Sequence, residues 1–189
     1  MIDPRGEPAI PADVLTAVAG SKLVGSPTSD KDDEWRASAR GAIRIAREIG
    51  ARVALADVST RSMLTTPYHA GGMAADAEGY STGAGAVGRD ELERLGRHYL
   101  VEQLDEAAAA GVEAEVWLAT EPGIRSLPIF LERFPDIEVM VGPPLDHPSW
   151  RQRLIGDRIE GVRARVGQRT LIVAHEDGRL TVDRPAASA

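Results

Sequence analysis

The sequence predicts an open α/β sheet of parallel strands with helices on both faces. Three observations lead there. Short apolar runs alternate with amphipathic helical patterns along the 189 residues. Three of those runs, Leu23-Val24, Val139-Met140-Val141 and Leu171-Ile172-Val173, are continuously apolar, as in strands covered on both faces. Helical patterns end at Gly50, at Gly111 and near Gly167, each just before the next apolar run.

Taken in order, residues 1–20 form an N-terminal extension in which Pro11-Ala12-Asp13 starts a short helix to Val18, ended by Gly20. Leu23-Val24 is a short strand that stops at Gly25-Ser26-Pro27. Asp32 to Ile49 is a helix: Trp35, Ala39, Ala42, Ile43, Ala46 and Ile49 recur at helical spacing, and Asp32, Asp33 and Glu34 suit its positive end. Arg52 to Val58 is the second strand. The thirty residues from Ser59 to Gly88 are rich in Gly, Ala, Ser and Thr, and a connection that long is functional or disordered. A helix from Asp90 to Ala110 follows, then a strand from Val112 to Leu118. That strand alternates apolar and polar residues, which places it at an edge with one wetter face. A helix lies within Pro122 to Phe134, where Pro128 marks a kink or the true start and Pro135 the end. Strand Ile137 to Val141, helix Arg151 to Arg165 and strand Thr170 to Ala174 complete the pattern. Arg179 to Val182 adds a hairpin strand through Asp177-Gly178. The α/β domain spans 21–183, and 184–189 is a tail.

Composition bounds the function. One domain of this length buries a real core. Only 4% of residues are aromatic, so that core is built from Val, Leu, Ile and Ala. A net charge of -7 argues against a nucleic-acid surface. The absence of cysteine excludes disulfides, zinc-thiolate sites and thiol catalysis. No apolar run approaches the ~18 residues of a membrane span. Met1 to Pro11 lacks the basic start and apolar centre of a signal peptide, so a cytoplasmic protein is expected.

Several motifs invite chemistry and do not support it. Gly83-Ala84-Gly85-Ala86-Val87-Gly88 matches GxGxxG, but the dinucleotide fingerprint needs a strand before it, and Glu78-Gly79-Tyr80-Ser81-Thr82 shows none. His69, His98, His147 and His175 have no partners at metal-ligand spacing. Ser26 and Ser29 follow a strand without a GxSxG elbow. Asp30, Asp32, Asp33 and Glu34 read as a solvated helix start. The segment after Gly142 carries more: glycine lets a ligand approach the backbone, and Arg151, Arg153 and Arg158 suit phosphates. The same residues also read as a plain strand end with solvated arginines.

Three stretches together resemble the universal stress protein family. Lys22-Leu23-Val24-Gly25 with Ser29, then Ile45 to Val53, is similar to its opening strand and helix. Ala110 to Val116 with Glu121-Pro122 is similar to its middle. Val139 to Gly142, Leu154 to Glu160 and Leu171 to Val173 resemble its closing unit. The resemblance covers about Lys22 to His175, interrupted by 59–88. It implies a five-stranded parallel sheet in the order 3-2-1-4-5, a homodimer often formed through the last strand, and in many members ATP as ligand. The ATP-binding motif runs glycine, two residues, glycine, nine residues, glycine and Ser or Thr, with an aspartate after the first strand. This chain departs from it. Gly142 matches the first glycine, but Leu145 stands at the second and the loop to Gly156 is one residue longer. Asp157 replaces the Ser or Thr, and Pro27 stands where the aspartate is expected. A carboxylate among phosphate oxygens opposes binding by roughly a few kcal/mol. Pro143, Pro144 and Pro148 each remove an amide donor.

The expectation is therefore a universal stress protein-like regulatory or ligand-binding domain without turnover, its ligand a nucleotide or other small anion and its assembly a homodimer. The expected site comprises Ser26, Thr28 and Ser29 as polar contacts, Val58 as a wall, Gly142 and Gly156 for backbone approach, Arg151 for charge pairing and Asp157 as the group that refuses some anions. The alternatives are a weak nucleotide hydrolase or transferase with Asp157 as base, and a dimeric interaction module without ligand.

Overall fold

A computed structural model describes residues 8–30, 33–59, 87–118, 126–144 and 165–183. The strands are β1 (Leu23–Thr28), β2 (Arg52–Asp57), β3 (Ala114–Leu118), β4 (Val139–Gly142), β5 (Thr170–Ala174) and β6 (Leu180–Asp183). The helices are α1 (Ala12–Val18), α2 (Asp33–Ile49), α3 (Arg89–Arg94), α4 (His98–Ala109) and α5 (Leu127–Arg133). They form one sheet in the order β3-β2-β1-β4-β5-β6. Neighbours from β3 through β5 pair in parallel, and β6 runs antiparallel to β5. The parallel order and the added C-terminal strand match expectation.

Strand composition follows sheet position. β1 and β4 are buried along their whole length, whereas β3, at the edge, buries only Val116 and Leu118. Two cores flank the sheet. On one face Val24, Val53, Leu55, Val139, Val141 and Ile172 meet α1, α2 and α4 through Val14, Ile45, Leu100 and Val101. On the other, Leu23, Ala54, Ala56, Met140 and Leu171 meet α5 through Leu127, Phe130 and Leu131. Phe130 also stacks at a tilt on Trp117 and Phe134, with ring centroids 5.7 and 5.0 Å away. Helix α1 is docked, since Val14 and Val18 are fully buried.

Several expectations are corrected. β1 does not stop at Gly25; it continues through Ser26 and Pro27 to Thr28. Pro27 is tolerated in a central strand for a reason of register. Arg52 N–H donates to Lys22 and Val58 N–H to Thr28, so the even-numbered residues of β1 bond β2. The odd-numbered ones face β4, and β1–β4 pairing ends at Gly25 opposite Met140. The missing N–H of Pro27 therefore costs no ladder bond. The helix expected from Asp90 to Ala110 is two helices, broken where Gly96 takes φ +68°. The strand expected from Val112 starts at Ala114, and that expected from Ile137 runs from Val139 to Gly142. The described part of the helix within 122–134 begins at Leu127 with Pro128 in its first turn, which resolves Pro128 as a start signal. The β5–β6 connection runs from His175 to Arg179, with three residues rather than two inside the bonded pair at its ends: Gly178 N–H donates to the His175 carbonyl, His175 N–H donates to the Arg179 carbonyl, and Gly178 takes φ +79°. The bulk of the long segment, 60–86, the helix Arg151 to Arg165 apart from its end, His69, His147 and the 184–189 tail lie outside the described residues.

Candidate functional site

In an open α/β sheet, ligands bind outside the carboxyl ends of the strands where strand order reverses. Here that point lies between β1 and β4. Past Gly25 and Met140 the two strands no longer pair, so Ser26, Pro27 and Thr28 on one side and Val141 and Gly142 on the other lie at the diverging ends of β1 and β4. The structure brings the described part of the expected site to this level. Ser26 and Thr28 are fully buried, and Ser29 and Val58 nearly so. Gly142 ends β4, opposite Val173 of β5. These residues share a level but not a face. Ser26 and Thr28 alternate with Val24 toward α2 and α4, whereas Val58 belongs to the core under α5. The Ser26 hydroxyl donates to the carbonyl of Pro27 at 3.2 Å. Arg151, Gly156 and Asp157 lie outside the described residues.

A buried polar cluster that sequence reading missed adjoins this level. Asp57 ends β2, and its Oδ1 accepts the backbone N–H of Ser59 at 2.8 Å. Its Oδ2 lies 3.4 Å from Nε of Arg97, with both side chains at most 5% exposed. Arg97 Nη1 donates to Ser59 Oγ at 2.9 Å. Beside them Gln103 Nε2 donates to Thr28 Oγ1 at 2.8 Å, which ties α4 to β1. Two polar atoms of the cluster, Tyr99 Oη and Gln103 Oε1, are buried with no hydrogen-bond partner among the described residues. Burial, then the negative charge of Asp57, pushes the Tyr99 hydroxyl far above its usual range, so it stays protonated. The cluster offers donors, acceptors and one fixed ion pair, and its Thr28 belongs to the expected site.

Two signals in the sequence pointed to it. Asp57 is a carboxylate closing the apolar run Val53 to Ala56, and Gly96-Arg97 interrupts a helical pattern. The described histidines stand apart: His98 is exposed at the start of α4, and His175 pairs with Thr181 at 3.1 Å in the β5–β6 turn.

No protein-family model matches the sequence, and no curated protein sequence matches it significantly. Solved structures do. A universal stress protein in complex with cAMP aligns with TM-score 0.50 and 19% identity over 82% of this chain and 98% of its own. Universal stress protein UspA from Lactobacillus plantarum aligns with TM-score 0.54 and 13% identity over 82% of this chain and 99% of its own. The fold is that of the universal stress proteins. At these identities the likeness is one of fold. To that fold this chain adds β6, which covers the outer edge of β5. No helix among the described residues is long and apolar enough to cross a membrane.

Proposed function

We propose that this chain is a universal stress protein-like regulatory domain that binds a nucleotide or similar small anion, without turnover, in the crevice between the C-terminal ends of β1 and β4. The observation that supports this reading is the end of β1–β4 pairing at Gly25 and Met140, the point at which strand order reverses. In this reading Gly142 and Gly156 allow close backbone approach, Ser26, Thr28 and Ser29 supply polar contacts, and Val58 forms a wall. Arg151 pairs with the anion, and Asp157 repels a triphosphate. The solved universal stress protein in complex with cAMP supports a ligand with one phosphate, which meets less repulsion from Asp157 than ATP does. Cyclic and monophosphate nucleotides thus rank above Mg-ATP. Cytoplasmic residence and a homodimer belong to the same proposal. With the β5 edge taken by β6, a second copy meets the outer edge of β6 instead.

Thermal unfolding with ATP, ADP, AMP and cyclic nucleotides, each with Mg²⁺, tests the reading. A ligand at ~100 times its Kd adds about 2.7 kcal/mol of stability. The largest shift is expected for a cyclic or monophosphate nucleotide, and Asp157→Asn should strengthen ATP. No shift at millimolar ligand would sink the nucleotide reading.

A further inference from the structure

One arginine joins two segments that lie far apart in the chain. Arg44 sits within α2 and is 8% exposed. Its Nη1 donates to the Gly178 carbonyl in the β5–β6 turn at 2.6 Å, and its Nη2 donates to the Pro8 carbonyl in the N-terminal extension. The acceptors stand 134 residues after the arginine and 36 before it. A planar guanidinium presents its donors in a fixed fork, so one side chain holds both carbonyls at a set spacing. Pro8 also packs directly on the turn: a Cβ on Gly178 would come within 3.3 Å of its Cγ and 3.4 Å of its Cδ.

The extension and the hairpin share a core as well as this bond. Ile10, Val14 and Val18 of the extension pack in the same cluster as Leu180 and Val182 of β6. β6 in turn covers the edge of β5. His175 N–H donates to the Arg179 carbonyl, which marks that pair as a bonded one. Bonded pairs recur every second residue in an antiparallel ladder, so Val173 and Thr181 are the next. Extension, hairpin and β5 edge are thus connected in series through Arg44. If either segment leaves, the guanidinium loses a charge-assisted bond while the other segment still holds it away from water. A buried donor deprived of its acceptor is costly, so opening of one segment alone is penalised and the two open together.

We propose, independently of what binds at the ends of β1 and β4, that the N-terminal extension is a strap latched by Arg44 onto the β5–β6 hairpin, whose release opens the β5 edge. Amide hydrogen exchange of the full chain, read residue by residue by NMR, tests this. Leu15 N–H, which donates to the Pro11 carbonyl, reports the strap. Thr181 N–H reports the hairpin, and Val53 N–H, bonded to the Glu113 carbonyl, reports the far half of the sheet. Arg44→Met keeps the length of the side chain and removes the fork. It should speed exchange at Leu15 and Thr181 by roughly tenfold or more and change Val53 far less, as local opening requires. Coupling is reciprocal, so a change on either side must be felt on the other. Pro8→Gly alters only the strap and should speed Thr181. Gly178→Ala presses on Pro8 from the hairpin and should speed Leu15. Both keep the test open should Arg44→Met fail to fold. Thr181 unchanged in Pro8→Gly, or Leu15 unchanged in Gly178→Ala, would show that the segments open separately and overturn the latch. Equal acceleration at Val53 in the variants would overturn it too, since Arg44 would then serve overall stability alone.

Discussion

Asp57 and Arg97 are buried charges that keep each other tolerable. A buried pair adds little net stability over an apolar pair, but removing one partner strands the other. Arg97→Met should therefore cost about 3–5 kcal/mol. Arg97→Met combined with Asp57→Asn should cost less than the two single changes added together. Urea unfolding of the four proteins measures the coupling, and strict additivity would mean that the pair does not interact. Tyr99 makes a separate prediction. Its folded pKa lies above the ordinary 10.0, so the folded state holds a proton that the unfolded state releases. Its contribution is complete below pH 10.0 and fades as pH rises beyond it, by about 1.4 kcal/mol per pH unit. Tyr99→Phe has no proton to release and should remove that alkaline loss. Melting temperatures from pH 8 to pH 11 decide it; a parallel decline in both proteins would refute the assignment.

Among the elements, the break between α3 and α4 matters most. A continuous helix through Gly96 would carry Arg97 around with it. Instead the Gly96 backbone at φ +68° restarts the chain so that Arg97 turns inward to Asp57. No neighbour lies within 4 Å of a Cβ at Gly96, so Gly96→Ala is penalised through the backbone alone, by about 1 kcal/mol. If Gly96 only ends a helix, Gly96→Ala will lose that much and no more. If the variant straightens the helix, the loss will approach that of Arg97→Met, and urea midpoints distinguish the two. The β5–β6 turn is held by local bonds. The backbone N–H of Arg179 and then its side chain keep the Asp177 carboxylate below the usual range. That contribution is present above pH 3.8 and is lost as pH falls further, a small effect at so exposed a residue.

For the whole molecule, the two sheet edges are managed differently. β3 is an alternating edge flanked by Glu113, Glu115 and Arg52, whose charges discourage pairing with another chain. The β5 edge is apolar, with Leu171 to Ala174 buried, and it is β6 that covers it. Ending the chain after His175 would expose that edge. The truncated protein should associate through β5 into dimers or larger species, seen by size exclusion with light scattering. A truncated chain with the mass of the full-length species would show that β6 is not what protects the edge.

By itself the sequence determined the α/β class, because hydrophobic period and glycine punctuation are local signals, while the strand order came from the resemblance to the universal stress proteins. The continuously apolar runs became β1, β4 and β5, the alternating run became the β3 edge, and Asp177-Gly178 lay at the β6 hairpin. It also led to Ser26, Thr28, Ser29, Val58 and Gly142, which meet at one level of the sheet. Tertiary structure decided the rest, because those features depend on partners distant in the chain. Pro27 is harmless in β1 only because β4 has already diverged. Asp57 is a strand-ending carboxylate until Arg97, forty residues on, turns inward at Gly96. Arg44 reads as one more solvated charge on α2 until the carbonyls of Pro8 and Gly178 close around it. Buried polar pairs are cheap only when their geometry is complete, and that geometry is assembled by packing rather than by neighbours in sequence.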